Sequence, residues 1–255
     1  MVVAELKKFL IEEMSPQEIT DALKETDTVI VPLGTVEQHA AHLPVGTDVI
    51  IPITVAKRVA KKAKVLVAPP IFYGNSLSMA DMKGVFTITP DTLASLTFDL
   101  CKSFAKQGFK KIVFLNGHGG NKQVLSFIGQ KARMETGALI VCIDWWHIID
   151  EDIGKICESA VAHADEGETS MMLTYRPDLV NMKKATKDDT HDKLAEVLTS
   201  GKPKNMPAVY VPFTTWSKTG LIGDSTKATK TKGEKIMKAA VNNIVHFLKQ
   251  LDKLE

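Results

Sequence analysis

The sequence predicts a three-layer α/β/α fold built around a mostly parallel central sheet. Two observations carry this. Apolar runs of four to six residues recur without polar alternation, as in strands buried on both faces. Between them lie amphipathic stretches of ten to fifteen residues, the spacing of strand–helix–strand crossovers.

In chain order, Met1 to Met14 mixes Lys7, Lys8, Glu12 and Glu13 with apolar residues and suits an amphipathic helix, lacking the unbroken apolar centre of a signal peptide. Ser15-Pro16-Gln17-Glu18 is a capping-box helix start. Thr28 to Leu33 is a β-branched run ended by Gly34, hence a buried strand. Val49 to Lys62 carries Val55 and Val59 at helical spacing. Val65 to Ala68 is a second strand, stopped by Pro69-Pro70. Thr89-Pro90-Asp91 opens a helix that Gly108 closes. Ile112 to Leu115 is a third strand, followed by a helix from about Asn121 to Thr136, and Leu139 to Ile143 is a fourth strand. The polar stretch Thr186 to Asn205 reads as a mobile insertion. From Thr231 a long helix places Ile236, Ala240, Ile244 and Leu248 in register, its lysines forming a solvated face. No repeat or linker divides the chain, so residues 1–255 read as one domain.

Composition excludes several classes. With 44% hydrophobic residues the 255-residue chain can bury a core, which excludes intrinsic disorder. A net charge of +2, with Arg58, Arg133 and Arg176 the only arginines among 32 basic residues, argues against a nucleic-acid partner. No apolar run reaches the ~18 residues that span a bilayer. Three widely spaced cysteines form no disulfide framework. The expectation is a soluble, cytoplasmic protein acting on a small molecule.

In open parallel sheets, ligands gather beyond the carboxyl ends of the strands. After the first strand come Glu37, His39 and His42, then Asp48. In extended chain Glu37 and His39 share a face, a plausible pair of metal ligands with a further carboxylate nine residues on. After the third strand, His118 is flanked by Gly117, Gly119 and Gly120. Later, His163, Asp165, Glu166 and Glu168 precede the apolar run Met171-Met172-Leu173. Each group has a structural alternative: a helix cap, a tight turn, an acidic helix start favoured by the dipole. Their joint occurrence at strand ends and loop-to-helix junctions favours function. A phosphate cradle at Gly117 to Lys122 fails, because Lys122 stands where the dinucleotide pattern needs glycine and the P-loop spacing is absent. No nucleophile elbow occurs, and Ser170 reads as structural.

Val31-Pro32-Leu33-Gly34-Thr35-Val36-Glu37-Gln38-His39, His42-Leu43-Pro44-Val45-Gly46-Thr47-Asp48, Leu115 to Asn121 and His163 to Leu173 together resemble the creatininase (creatinine amidohydrolase) family. Thr219-Gly220-Leu221-Ile222-Gly223-Asp224 adds a weaker match. The resemblance implies an α/β/α fold and a binuclear site holding two divalent ions, zinc and/or manganese. By position, Glu37 and His118 hold one ion, His39 the other, and Asp48 bridges them. Two departures stand out. Creatininase itself has a glutamate ligand where this chain has Gly120, and Glu168 is the candidate replacement. Met79 falls where many relatives carry a histidine, which puts creatinine itself in doubt as substrate.

The resemblance further implies His163 and Glu168 as catalytic groups, with Asp165 or Glu166 as neighbours of the His163 proton shuttle. Trp145, Trp146 and Trp216 are candidates for the pocket wall, with core packing an equal alternative. The expected function is metal-dependent hydrolysis of a C–N bond in a small cyclic or amide-like substrate, by hydroxide held at the ions. The alternative is C–C hydrolysis opening a cyclic diketone such as 3-dehydro-scyllo-inosose, and a non-catalytic nucleotide- or metal-binding protein is the least favoured reading. A homo-oligomer, a hexamer, is implied by resemblance alone.

Overall fold

The computed structural model describes residues 8–159, 162–188 and 210–253. Strands β1 (Thr28–Leu33), β2 (Leu66–Val67), β3 (Lys111–Asn116) and β4 (Leu139–Asp144) form one wholly parallel sheet in the order β2-β1-β3-β4. Thr28 pairs with Lys111 and Leu33 with Asn116, and β3 meets β4 in the same stepwise register. β1 and β3 are buried at every residue because helices cover both faces.

The two-residue period of the strands sorts their side chains into two cores. Ile30, Val113, Leu115 and Ile143 pack with α2 (Thr47–Ala60), α6 (Glu166–Tyr175) and α7 (Lys230–Leu251). Val29, Val31, Leu33, Ile112 and Phe114 pack on the opposite side with α1 (Pro16–Ala22), α3 (Pro90–Gln107) and α4 (Lys122–Thr136). The short helix α5 (Asp150–Ile156) lies against α7. A two-stranded antiparallel ribbon joins β5 (Lys187–Asp188) to β6 (Gly223–Asp224). The expected α/β/α layering is therefore present.

Local signals place most boundaries. Ser15 and Glu18 form the reciprocal capping box of α1, and Thr89 caps α3, which Gly108 ends at φ +106°. In α7, Ile236, Ala240, Ile244 and Leu248 are all buried. The chain start differs from expectation. Its described part holds only a 3-10 turn, Ile11–Glu13, and Leu10 bridges Val67 in parallel. The Val67 N–H donates to the Phe9 carbonyl at 2.7 Å. β2 is the edge of the sheet, and its unpaired backbone recruits this segment into extended chain. Met1 to Lys7 lie outside the described residues. So does the expected insertion beyond Asp188, while Lys187 and Asp188 are ribbon rather than loop.

The strand order also locates a site. From β1 the chain crosses through α2 to β2 on one side, whereas β3 and β4 lie on the other. The carboxyl ends of β1 and β3 therefore flank a topological switch point, where open α/β sheets bind ligands. The first turn of α2 is wedged there. A Cβ on Gly34, after β1, would lie 2.1 Å from the Asp48 carbonyl oxygen, and one on Gly117, after β3, 1.9 Å from it. Only glycine permits this approach. Pro52, inside α2, has no N–H to donate to that carbonyl.

Candidate metal centre

Three imidazoles and three carboxylates converge at the switch point. Glu37 and His39 follow β1, Asp48 is the second residue of α2, His118 follows β3, and His163 and Glu168 bracket the start of α6. All six are buried or nearly so. Asp48 is central. Its Oδ1 lies 2.9 Å from His39 Nε2, and its Oδ2 lies 3.1 Å from His118 Nδ1. His118 Nδ1 is also 3.2 Å from Glu37 Oε1, and His39 Nε2 is 3.7 Å from Glu168 Oε2. Two triads result, Glu37–Asp48–His118 and His39–Asp48–Glu168, each with its ligand atoms within 4.8 Å of one another. Glu37, His39 and His163 make a third such group.

The outer nitrogens fix the rings. His39 Nδ1 donates to the Glu37 carbonyl at 3.0 Å, and His118 Nε2 donates to the Asn75 carbonyl at 2.8 Å. Each ring therefore turns its other nitrogen inward, the arrangement in which a second hydrogen bond sets the tautomer of a ligating histidine. His163 Nε2 donates to the Gln38 carbonyl at 3.0 Å, leaving Nδ1 facing Glu37 Oε1 at 3.7 Å. Its ring lies 4.4 Å from that of His39 and 5.1 Å from that of Phe213.

The electrostatics follow from burial and proximity. Burial pushes His39 down, but Asp48, Glu168 and Glu37 outweigh it and raise the imidazole to about 10. Burial likewise opposes, and Glu37 and Asp48 prevail, at His118, which is held well above the usual range. Asp48 is depressed, because His39 and His118 overcome its desolvation. Glu168 is pushed up to about 8, first by burial and then by the Asp48 and Asp165 carboxylates, against the pull of His39. His163, desolvated and beside a charged His39, is pushed down to about 4. The carboxylates thus favour positive charge at both rings, and the two imidazoles favour the ionised form of Asp48. Asp48 Oδ2 nevertheless has no aligned hydrogen-bond donor among the described residues. An orphaned buried carboxylate oxygen between two inward imidazole nitrogens, with oxygen and nitrogen donors throughout, fits a divalent transition-metal ion, which would displace the two ring protons.

Other expected residues turn elsewhere. Asp165 caps α6, accepting from the backbone N–H groups of Gly167 and Glu168 at 2.9 and 3.1 Å and from that of Ala162 at 2.6 Å. Glu166 accepts from Glu158 N–H, Ser159 N–H and Lys232. Neither adjoins His163 as a proton relay; the turn needs both carboxylates to satisfy its backbone donors. Ser170 is structural, its Oγ accepting from Thr229 N–H. Trp145 and Trp146 line the cavity beside Asp48, His118, His163 and Glu168, but Trp216 does not. Met79 is buried in a 3-10 turn.

A Cβ at Gly120 would lie 2.2 Å from the Asn75 carbonyl oxygen and 2.5 Å from His118 Nε2, so the backbone here leaves no room for a glutamate. Glu168 lines the cavity instead. Sequence reasoning missed Asn75 and Ser76. Ser76 Oγ donates to Glu37 Oε2, freeing Oε1 for the centre, and Asn75 is anchored by the Asn121 side chain at 2.9 Å. Both lie beyond the carboxyl end of β2, where sequence reasoning nominated no polar residue.

A layered α/β/α chain with this buried carboxylate–imidazole cluster at its strand ends carries the donor set of a metal-dependent enzyme. The family model described as creatinine amidohydrolase matches residues 12–248, and the chain belongs to the creatininase family. A 3-dehydro-scyllo-inosose hydrolase of Thermotoga maritima is 30% identical over 189 residues, covering 71% of this chain but only 60% of that protein. A mycofactocin precursor peptide peptidase of Mycolicibacterium smegmatis is 32% identical over 231 residues, 87% of this chain and 84% of its own. Solved creatininases, including a manganese form and a Zn–Zn mutant form, superpose with a TM-score of 0.81 at 23% identity, covering 96% of this chain and 98% of theirs. At that identity the likeness is one of fold.

Proposed function

We propose that the chain hydrolyses a C–N bond in a small cyclic or amide-like substrate at a centre for two divalent ions, zinc and/or manganese. The observation that carries this is the Asp48 carboxylate, which offers one oxygen to each of two triads. Glu37 and His118 would hold one ion, His39 and Glu168 the other. When bound, such ions polarise a carbonyl and bring the pKa of water toward neutrality.

The protein's part is positioning and proton transfer. Ser76 and the Ala164 N–H each fix one oxygen of the ligating glutamates. His163 presents an unprotonated Nδ1 to the cavity edge, where it accepts a proton from the attacking water and returns it to the leaving nitrogen. Trp145 and Trp146 wall the reacting carbonyl from solvent. The cavity bounded by described residues measures about 190 Å³, below the ~300–1,000 Å³ of drug-sized ligand sites, which supports a small substrate. Residues 1–255 acting as one domain agree with a site assembled from β1 through α6.

A second reading, C–C hydrolysis of a cyclic diketone, is favoured by the similarity to the inosose hydrolase. It needs the same residues, because both reactions add water to a carbonyl. A hydrolysis screen with added zinc or manganese, covering creatinine, cyclic ureides, formamides and keto-inositols, separates them. Turnover of an amide or ureide supports the first reading, and turnover of keto-inositols alone replaces it with the second. Protein purified without chelator that binds no divalent ion would overturn both. No helix among the described residues is long and apolar enough to cross a membrane. The cytoplasmic location is supported by three unpaired cysteines. A hexamer is the assembly we propose, to be measured by light scattering.

A further inference from the structure

We propose that His42 is a positioning residue, acting through Thr169 and the Ala164 peptide to hold the Glu168 carboxylate in the centre. This rests on the two-ion reading above. Glu168 Oε2 accepts from the Ala164 N–H at 2.7 Å. Ala164 sits at φ +51° and Ala40 at +54°, the two non-glycine residues with positive φ among those described. Alanine keeps such a conformation only where its surroundings impose it.

The surroundings can be traced. On the preceding residue, the His163 carbonyl accepts from Ile222 N–H at 2.9 Å. The Ala164 carbonyl accepts from Thr169 Oγ1 at 3.4 Å, and Thr169 Oγ1 accepts in turn from His42 Nε2 at 2.8 Å. His42 comes from the loop after β1, 127 residues earlier in the chain than Thr169. All the links are buried. His42 Nδ1 has no hydrogen-bond partner among the described residues. An apolar side chain would fill the same space without that penalty, so packing alone gives no reason for an imidazole. What the ring supplies is the Nε2 donor. It orients the threonine hydroxyl toward the Ala164 carbonyl and bears on that carbonyl itself. Ile222 holds the peptide before Ala164 and this chain holds the peptide after it, and the two together keep Ala164 at φ +51° with its N–H aimed at Glu168. Without the His42 donor the Ala164–Asp165 peptide can turn, Ala164 can leave that conformation, and Glu168 loses the bond that keeps Oε2 3.7 Å from His39 Nε2.

The test is zinc titration of the full chain against a chromophoric chelator, for wild type, His42→Leu, Thr169→Val, Thr169→Ser, Glu168→Gln and the Thr169→Val/Glu168→Gln double variant. Removing a partner that orients a metal ligand typically weakens binding about 10- to 100-fold. Thr169→Val and His42→Leu should each weaken one of the two zinc ions by that factor and leave the other unchanged. Thr169→Ser should bind as wild type. In the Glu168→Gln background, Thr169→Val should have no further effect, because its target is gone. An equal loss in that background, or unchanged affinity in His42→Leu or in Thr169→Val alone, overturns the positioning role while the two-ion reading stands. Wild-type protein that binds no zinc overturns both.

Discussion

Gly117→Ala tests the claim that close backbone approach, rather than the ligand list, builds the centre. The added Cβ would stand 1.9 Å from the Asp48 carbonyl oxygen and 2.9 Å from Pro52 Cγ. Real Cβ atoms stay at least 3.0 Å from their neighbours, so the first turn of α2 must retreat by 1.1 Å or more. Overpacking of this kind costs about 1–3 kcal/mol, a fall in Tm of about 2–12 °C for a chain of this size. The functional loss should be larger. Asp48 must meet partners 2.9 and 3.1 Å away on both sides, and a misplacement of about 1 Å costs about 100-fold in rate. Zinc affinity, melting temperature and hydrolysis rate are measured for Gly117→Ala and for Gly119→Ala, whose Cβ would meet nothing within 4 Å. The control, which lines the cavity, should keep wild-type zinc affinity and melting temperature. Wild-type zinc affinity in Gly117→Ala, or equal damage from Gly119→Ala, would refute the reasoning.

Asp48→Ala should abolish binding of both ions, whereas Glu168→Gln should lose one, as read by metal content per chain. The metal-free Asp48→Ala protein should also be less stable than metal-free wild type, because His39 and His118 lose the carboxylate oxygens 2.9 and 3.1 Å away; denaturant titration measures this. Ser76→Ala strips the donor from Glu37 Oε2 and should weaken one ion about 10- to 100-fold, with a loss of about 1–3 kcal/mol in stability from the acceptor left buried and unpaired. Gly120→Glu should lower hydrolysis and zinc content rather than supply a further ligand, because its Cβ would collide with the Asn75 carbonyl and the His118 ring; a gain in zinc affinity would contradict the backbone geometry.

Much of the fold was legible because its signals are local. The apolar run of β1, the capping box at Ser15 and Glu18, and Gly108 after α3 each depend on a few adjacent residues. Glu37, His39, Asp48, His118, His163 and Glu168 could be nominated because strand ends in a parallel sheet are where ligands bind. What could not be read depended on contacts between distant segments. Asp165 and Glu166 look like site residues beside His163, yet Glu166 turns to Lys232, 66 residues on, while Asp165 makes a local cap at the start of α6. Leu10 joins the sheet because β2 has an open edge, which no property of residues 8–14 announces.

By itself, then, the sequence determined the succession of strands and helices, the two-faced burial of the sheet, and the set of carboxylates and imidazoles near its carboxyl edge. Those follow from short-range periodicity and from the chemistry of single side chains. The tertiary structure decided which of those groups meet. The glycine-lined wedge puts Asp48 between His39 and His118, the crowded Gly120 position leaves no room for a glutamate, and Ser76 orients Glu37 from 39 residues along the chain. Distances of about 3 Å between residues far apart in sequence are set by packing, and packing exists only once the layers have closed.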